Sequence, residues 1–146
     1  MTTDPFRIAI AARYAERQTI RQFLDAAQLT NLPVTITASW LSATAEQDAD
    51  LTDDQAEQAA LTNWKEIRES HLLLYFSCWQ RDIAIRDAKP LWSPGRLIDL
   101  GMALACRVPV LVVGERETSI YFRQALVSVC ERTPLALYRA IKGRVR

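Results

Sequence analysis

Asp99 is the acidic residue whose surroundings most require a chemical explanation. It stands between Ile98 and Leu100 in a run of apolar residues. An acid in such a run is expected to have either a hydrogen-bonding or charged partner or a functional role, because an uncompensated buried charge is costly. A carboxylate placed there is suited to nucleophilic or acid–base chemistry. The alternative is that Asp99 merely complements the dipole of the helix on which it lies.

The segment Ser93-Pro94-Gly95-Arg96 opens the helix that carries Asp99. Gly95 has no side chain and therefore permits a close backbone approach. The exposed N–H groups at a helix N-terminus attract anions, and Arg96 adds a positive charge. The segment therefore favours a binding site for a negatively charged group one turn before the acid.

Composition excludes several other classes of site. The chain has 146 residues, is 49% hydrophobic, carries a net charge of +1 and contains 4 Gly. The near-neutral charge argues against a dedicated nucleic-acid or membrane-surface binder, and the apolar content against disorder. The four glycines fit neither a G-x-G-x-x-G fingerprint nor a Walker loop.

Histidine and cysteine usage excludes further chemistry. His71 is the single histidine, and it opens an apolar segment typical of a buried strand, so a structural role is expected for it. The three widely spaced cysteines are expected to be buried free thiols: Cys78, Cys106 and Cys130. No zinc site follows from this set, and we expect neither a metal nor a cofactor.

The elements that position these residues alternate along the chain. Short apolar segments predict strands, and apolar residues at helical spacing or a capping box predict helices. The strands are expected at 6–12, 34–38, 72–76 and 110–113, and the helices at 16–28, 52–69 and 95–106. The last part, 121–146, is expected to hold one or two helices with Pro134 between them. Its basic residues, including Arg132, are interpreted as a solvated helix end.

Strands that alternate with helices predict an α/β fold with a parallel sheet. We expect a single domain over 1–146, a three-layer sandwich with a flavodoxin-like or Rossmann-like sheet and helices on both faces. No signal peptide and no apolar run of about 18 residues is visible, so a soluble, cytoplasmic protein is expected.

Ligands of such sheets bind beyond the carboxyl ends of the strands. The order of elements brings three segments there. Arg13 and Tyr14 follow the first strand, and Ser77 follows the central strand. The third segment is the helix start at 93–96, which the long connection after Ser77 reaches through Trp92. The Trp92 ring can stack on a base, or alternatively pack in the loop or against another subunit.

The stretch from Ser93 to Val113 resembles the signature of the nucleoside 2-deoxyribosyltransferase-like superfamily. In that signature an acid is followed by an apolar residue and Gly, then by a helix of small residues and a basic-Pro-apolar strand. Similar stretches occur at 8–14, 34–41 and 61–76, so that the resemblance spans about 6–122 in the same order.

The resemblance implies cleavage of an N-glycosidic bond without a cofactor. In the family, a carboxylate at the position of Asp99 attacks the anomeric carbon, and a base or water resolves the resulting ester. Transferases carry Asp six residues before this acid, whereas monophosphate N-glycosidases carry Ser, as here in Ser93. A hydroxyl suits a phosphate and a carboxylate would repel it. Arg13 falls where the phosphate-binding branch has a basic residue.

The resemblance also assigns roles to Tyr14 and Asn63. Tyr14 would position the nucleophile or contact the sugar, and Asn63 would contact the ligand. Two positions depart from the family: Asp99 replaces the usual Glu, and Asn63 replaces the usual Asp, although an amide cannot act as a general acid.

Three functions follow from this pattern. The first is an N-glycosidase or deoxyribosyltransferase that acts on a (deoxy)nucleoside or its 5′-monophosphate. The alternative is a catalytically impaired nucleotide-binding or sensor protein of the same fold. Cleavage of a dinucleotide such as NAD is the third. Family members are commonly dimers or larger, which implies a homo-oligomer here. No nucleic-acid or membrane partner is expected.

Overall fold

A parallel sheet forms the centre of the computed structural model, which describes residues 4–43, 51–77, 94–117 and 119–145. Within these residues the sheet has five strands, in the order β2-β1-β3-β4-β5, and all neighbours pair in parallel. The strands are β1 (Phe6–Ala11), β2 (Val34–Ile36), β3 (Leu72–Phe76), β4 (Val110–Val113) and β5 (Val127–Cys130). The expectation of a parallel α/β sheet with 72–76 at its centre is confirmed.

Helices cover both faces of the sheet, as expected for a three-layer sandwich. They are α1 (Arg17–Ala26), α2 (Asp53–Arg68), α3 (Pro94–Ala105) and α4 (Pro134–Lys142). Ile20 of α1 and Leu137 of α4 belong to one buried cluster, whereas Ile67 of α2 and Leu100 of α3 belong to the other. The helices α2 and α3 therefore share one face of the sheet and contact each other.

The predicted capping box at the start of α2 is confirmed. The Gln55 N–H donates to the Thr52 hydroxyl (3.2 Å), and the Thr52 N–H donates to the Gln55 side chain (2.9 Å). Such reciprocal bonds satisfy two N–H groups that a helix start otherwise leaves open. Among the described residues, no helix is long and apolar enough to cross a membrane.

The last part of the chain differs from the prediction. Residues 127–130 form the strand β5, and Pro134 begins the single helix α4 instead of separating two helices. The Thr133 hydroxyl caps this helix by accepting from the Ala136 N–H, and proline suits its first turn because it needs no N–H partner there. The strand was missed because it lies at the sheet edge, where Val129 is exposed and no continuous apolar run develops.

The thiols are also less buried than expected. Cys106, which directly follows the last residue of α3, is exposed, and Cys130, at the end of the edge strand, is half-buried. The prediction of a buried thiol is thus wrong for Cys106. Cys78 lies outside the described residues.

The strand order defines where a ligand would bind. The chain moves from β1 outward to β2, then returns to the other side of β1 for β3 and continues to β4 and β5. The direction of strand addition thus reverses between β1 and β3. In open parallel sheets the crevice for ligands lies at the carboxyl ends of the strands at this switch point.

Candidate functional site

Asp99 and Asn63 meet between two helices on the same face of the sheet. The Asn63 side-chain N–H donates to Asp99 Oδ1 over 2.7 Å. Asp99 lies one turn into α3 and is 8% exposed, while Asn63 is half-buried on α2. The acid that stood alone in an apolar run therefore has a hydrogen-bond partner 36 residues earlier in the chain.

The protonation of Asp99 is set by its burial. Burial raises the pKa of Asp99 from 3.8 to about 7, and the hydrogen bond from Asn63 acts in the opposite direction by favouring the carboxylate. The carboxyl and carboxylate forms are thus both populated near neutral pH. Only the carboxylate form has the electron pair that nucleophilic attack requires.

A buried cluster ties the first turn of α3 to the sheet. Arg96 is 3% exposed, and its guanidinium donates to the Phe76 carbonyl (3.0 Å) and forms an ion pair with Glu117 (3.5 Å). The Tyr75 hydroxyl donates to the other oxygen of Glu117. The Arg96 guanidinium carbon also lies 5.1 Å from the centroid of the Tyr75 ring. These contacts hold the start of α3, and with it Asp99, against the end of β3.

The sequence suggested a ligand contact for Arg96 and did not anticipate this cluster. For two members of this cluster, the sequence does contain features that indicate a buried polar contact or a place at the sheet edge. A tyrosine inside a buried strand needs a partner for its hydroxyl, which applies to Tyr75. Glu117 follows β4 by four residues, and therefore lies at the carboxyl edge of the sheet where functional side chains gather.

Ser77 lies at the end of β3, and its backbone and side chain are both engaged. Its hydroxyl donates to the Val113 carbonyl (3.4 Å), and its own carbonyl accepts from Arg132 (2.9 Å). Gly114 follows β4 with φ +118, and a Cβ at this position would lie 2.5 Å from the Ser77 hydroxyl oxygen. Glycine is therefore required beside Ser77, both for its backbone conformation and for space.

Arg132 does not belong to a solvated helix end, contrary to the prediction for the basic tail. It is half-buried after β5, and its guanidinium carbon lies 5.8 Å from the centroid of the Phe76 ring. Together with its bond to the Ser77 carbonyl, this places a cation at the carboxyl edge of the sheet. Only the position of Arg132 directly after a strand could have indicated this location at the edge of the sheet, and the strand β5 is not predicted by the sequence.

Arg13 and Tyr14 lie beyond the end of β1. Arg13 is half-buried, and its carbonyl accepts from the Glu16 N–H (2.9 Å) in the short 3-10 turn that precedes α1. The Tyr14 ring has the Arg17 guanidinium carbon 4.3 Å from its centroid and the Trp40 ring 6.4 Å away. These contacts place the tyrosine at the carboxyl edge of the sheet, on the side of α1.

Gly95 lies in the first turn of α3 and is exposed. Apart from Gly95 itself, its two chain neighbours and the adjacent backbone of α3, no heavy atom of the described residues lies within 4 Å of the place that a Cβ would occupy. The described part of the fold therefore leaves room for a side chain here. Ser93 and Trp92, the remaining residues singled out in the sequence, lie outside the described residues.

His71 has structural contacts beside β3. Its Nδ1 accepts from the Arg7 N–H over 2.9 Å, and its ring stacks on Phe6 with a centroid separation of 5.1 Å. In the parts of the chain that the structure describes, no group of His, Cys, Asp and Glu side chains is arranged to hold a metal ion.

Comparison with known proteins identifies a solved structure with this fold. No family model and no curated protein matches the chain. The structure of Clostridium botulinum CMP N-glycosidase, BcmB, is similar with a TM-score of 0.55 and 17% sequence identity, and the match covers 94% of this chain and 98% of that one. The fold implied by the sequence resemblance is thereby confirmed.

Proposed function

We propose that this protein cleaves the N-glycosidic bond of a nucleotide, with Asp99 as the nucleophile. The observation that carries the proposal is the buried Asp99 carboxyl held by Asn63 at 2.7 Å, at the start of a helix that meets the ligand-binding edge of the sheet. The fold shared with a CMP N-glycosidase supports the type of reaction.

The hydrogen bond from Asn63 gives the two carboxylate oxygens of Asp99 different roles. Asn63 orients the carboxylate through Oδ1, and Oδ2 is then the oxygen that attacks the anomeric carbon. As the new C–O bond forms, the C–N bond breaks and its electron pair leaves with the base. The product of this step is a glycosyl ester on Asp99.

Water completes the reaction. Its oxygen bonds to the anomeric carbon, the ester bond breaks and the Asp99 carboxylate is restored. One proton of the water stays on the new sugar hydroxyl, and the other is released, which balances the proton that the departed base takes up. Asn63 has no acidic proton to supply to the leaving base. The base must therefore take its proton from solvent or from another group.

A 5′-monophosphate is the substrate that best suits the residues around this edge. The backbone N–H groups at the start of α3 attract anions, Gly95 leaves them accessible, and Ser93 adds a hydroxyl instead of a repelling carboxylate. Arg13 supplies positive charge from the other side of the switch point. Ser93 in place of Asp favours hydrolysis of a monophosphate over transfer between free nucleosides.

The remaining residues have supporting roles in this proposal. Tyr14 positions the carboxylate or contacts the sugar, Ser77 shapes the floor of the site and Trp92 stacks on the base. Arg96 is a positioning residue, since its guanidinium is engaged with Glu117 and the Phe76 carbonyl. Its charge still contributes to the positive potential at the start of α3.

A binding protein without turnover is the second candidate. The amide at Asn63 cannot deliver a proton, and the raised pKa of Asp99 leaves part of the protein without a carboxylate at pH 7. Both features weaken catalysis and leave nucleotide binding possible.

Release of free base separates the two candidates. The protein is incubated with a panel of ribo- and deoxyribonucleosides and their 5′-monophosphates, and the base is measured by chromatography. Base release from a monophosphate supports the enzyme if Asp99→Ala abolishes it and the control Glu115→Ala, which removes an exposed acid, retains it. Monophosphate binding without base release would overturn the enzyme and favour the binding protein.

A further inference from the structure

Arg132 is a half-buried cation for which the described residues supply no anion. Its guanidinium donates to the Ser77 carbonyl over 2.9 Å. The one ion pair within 4–43, 51–77, 94–117 and 119–145 joins two other residues, Arg96 and Glu117. A guanidinium has five N–H donors in a planar fork, so a ligand can bind to those that the Ser77 carbonyl does not use. An anion from outside the chain would compensate the charge of Arg132.

The turn after β5 holds the base of the Arg132 side chain in place. The Gly114 N–H donates to the Cys130 carbonyl over 3.0 Å, which joins the ends of β4 and β5. The Ser77 N–H donates to the Val113 carbonyl over 3.3 Å, which joins the end of β3 to β4. A Cβ on Gly114 would lie 2.5 Å from the Ser77 hydroxyl oxygen and 4.0 Å from the Arg132 Cβ. A cation held by such close packing loses little conformational entropy when it binds a ligand.

The end of β3 has a second guanidinium group, which differs from Arg132 in its charge compensation. Arg96 donates to the Phe76 carbonyl, one residue before the carbonyl that Arg132 binds. Glu117 compensates the charge of Arg96 at 3.5 Å, and no carboxylate of the described residues does so for Arg132. Strand β3 borders the switch point, where ligands of open parallel sheets bind. Arg132 is therefore the guanidinium at the end of β3 that is suited to an anionic ligand.

We infer that Arg132 binds the phosphate of the nucleotide and makes the protein prefer a monophosphate to the free nucleoside. This inference rests on the proposed action on a nucleotide. The guanidinium fork matches two oxygens of a phosphate. A phosphate monoester carries a charge of about −1.5 to −2 at pH 7. Arg13 and Arg132 together supply two positive charges, and neither has a carboxylate of the described residues within ion-pair distance.

This role comes from the position of Arg132 in the fold. The residue lies beyond the stretch of about 6–122 that carries the family resemblance, and it follows a strand that the sequence does not predict. Helix α4 begins two residues after Arg132, so the positive end of its dipole lies at the same edge of the sheet.

Titration with inorganic phosphate tests the site without a base or a sugar. In heteronuclear NMR spectra, the Arg132 Nε–H and the Gly114 amide signals should shift and saturate as phosphate is added. Arg132→Gln keeps an N–H donor but loses the charge, and should lower the affinity for phosphate about 10- to 100-fold, as expected for lost hydrogen bonds to a charged group. Arg132→Lys should retain part of the affinity. The matched control Arg139→Gln removes an exposed cation of α4 and should bind phosphate as the original chain does.

Nucleotide binding separates this inference from the proposed catalysis. Calorimetry in the Asp99→Ala background, where turnover does not interfere, should show that Arg132→Gln weakens binding of a monophosphate by the same factor and leaves binding of the corresponding nucleoside unchanged. Circular dichroism establishes that each variant is folded, and the NMR signals of the original chain test the site independently of any variant.

The outcomes for the binding site and for the enzyme are distinct. Loss of phosphate affinity in Arg132→Gln, in a protein that releases no base, would support the phosphate site and overturn the enzyme. Base release that depends on Asp99, together with equal phosphate affinities of the original chain and Arg132→Gln, would overturn the phosphate site and leave the enzyme. The phosphate site would also be overturned if the original chain bound no phosphate at millimolar concentration, or if Arg139→Gln lost as much affinity as Arg132→Gln.

Discussion

Replacing Asp99 by Asn should remove turnover and at the same time stabilise the fold at neutral and alkaline pH. Asn has the shape of Asp, and its carbonyl can accept the same hydrogen bond from Asn63. It carries no charge, however, and escapes the burial that raises the pKa of Asp99 from 3.8 to about 7. A gain in stability together with a loss of activity is expected when a functional group lies in an environment that disfavours its charged form.

The sign and size of the effect follow from proton linkage. Between pH 3.8 and about 7 the folded chain keeps the Asp99 proton while the unfolded chain has lost it. Each pH unit in this window therefore lowers the free energy of unfolding by about 1.36 kcal/mol. From pH 5 to pH 8 the loss through Asp99 amounts to about 2.5 kcal/mol, allowing for its gradual ionisation near pH 7. The Asn variant does not suffer this loss.

Urea unfolding of both proteins at a series of pH values gives the difference. Groups other than Asp99 titrate in both proteins and cancel when the two free energies of unfolding are subtracted. The advantage of Asp99→Asn should grow by about 2.5 kcal/mol from pH 5 to pH 8 and level off above it. An advantage that stays constant over this range would refute the reasoning, since it would mean that the pKa of Asp99 is not raised by folding.

Four further predictions concern the same region of the molecule. Gly95→Ala and the control Gly101→Ala, both with room for a Cβ, should each raise the free energy of unfolding by up to about 1 kcal/mol. Only Gly95→Ala should weaken monophosphate binding, as measured by calorimetry. Equal affinities of the Gly95→Ala variant and the original chain for the monophosphate would contradict a phosphate at this turn. The pH profile of kcat/KM should rise through about pH 7 as Asp99 ionises. Asn63→Ala should move this limb upward by about one pH unit, because it removes a hydrogen bond that favours the carboxylate; an unmoved limb would contradict the pairing. Glu117→Gln should lower the free energy of unfolding by about 3 kcal/mol, since it removes the anion from a buried ion pair; a loss below about 0.5 kcal/mol in urea unfolding would contradict the role of the cluster.

The regular part of the fold was predictable because burial on both faces of a parallel sheet leaves a strong signal. Strand β3 is fully buried and reads as an uninterrupted apolar run, and the capping box marks the start of α2. Strand β5 gave no such signal, since a sheet edge needs little apolar surface and Val129 remains exposed.

The candidate site was predictable only in part. An acid in an apolar run drew attention to Asp99, yet the distance of 36 residues to Asn63 has no local pattern, and the resemblance alone connected the two. For Arg96 a local sequence pattern exists, but it does not reveal the contacts of the side chain. A basic residue at a helix start suggests a ligand contact, whereas its burial against Glu117 and Tyr75 depends on how three separate elements pack.

Capture of the glycosyl ester tests the central claim most directly. A monophosphate that releases base is mixed with the protein, the reaction is quenched in acid within the first turnover, and the intact chain and its peptides are examined by mass spectrometry. The proposed mechanism predicts an added mass equal to one sugar phosphate residue on the peptide that contains Asp99, and its absence in Asp99→Ala. Release of base by Asp99→Ala at the original rate, or an adduct on a different residue, would contradict it.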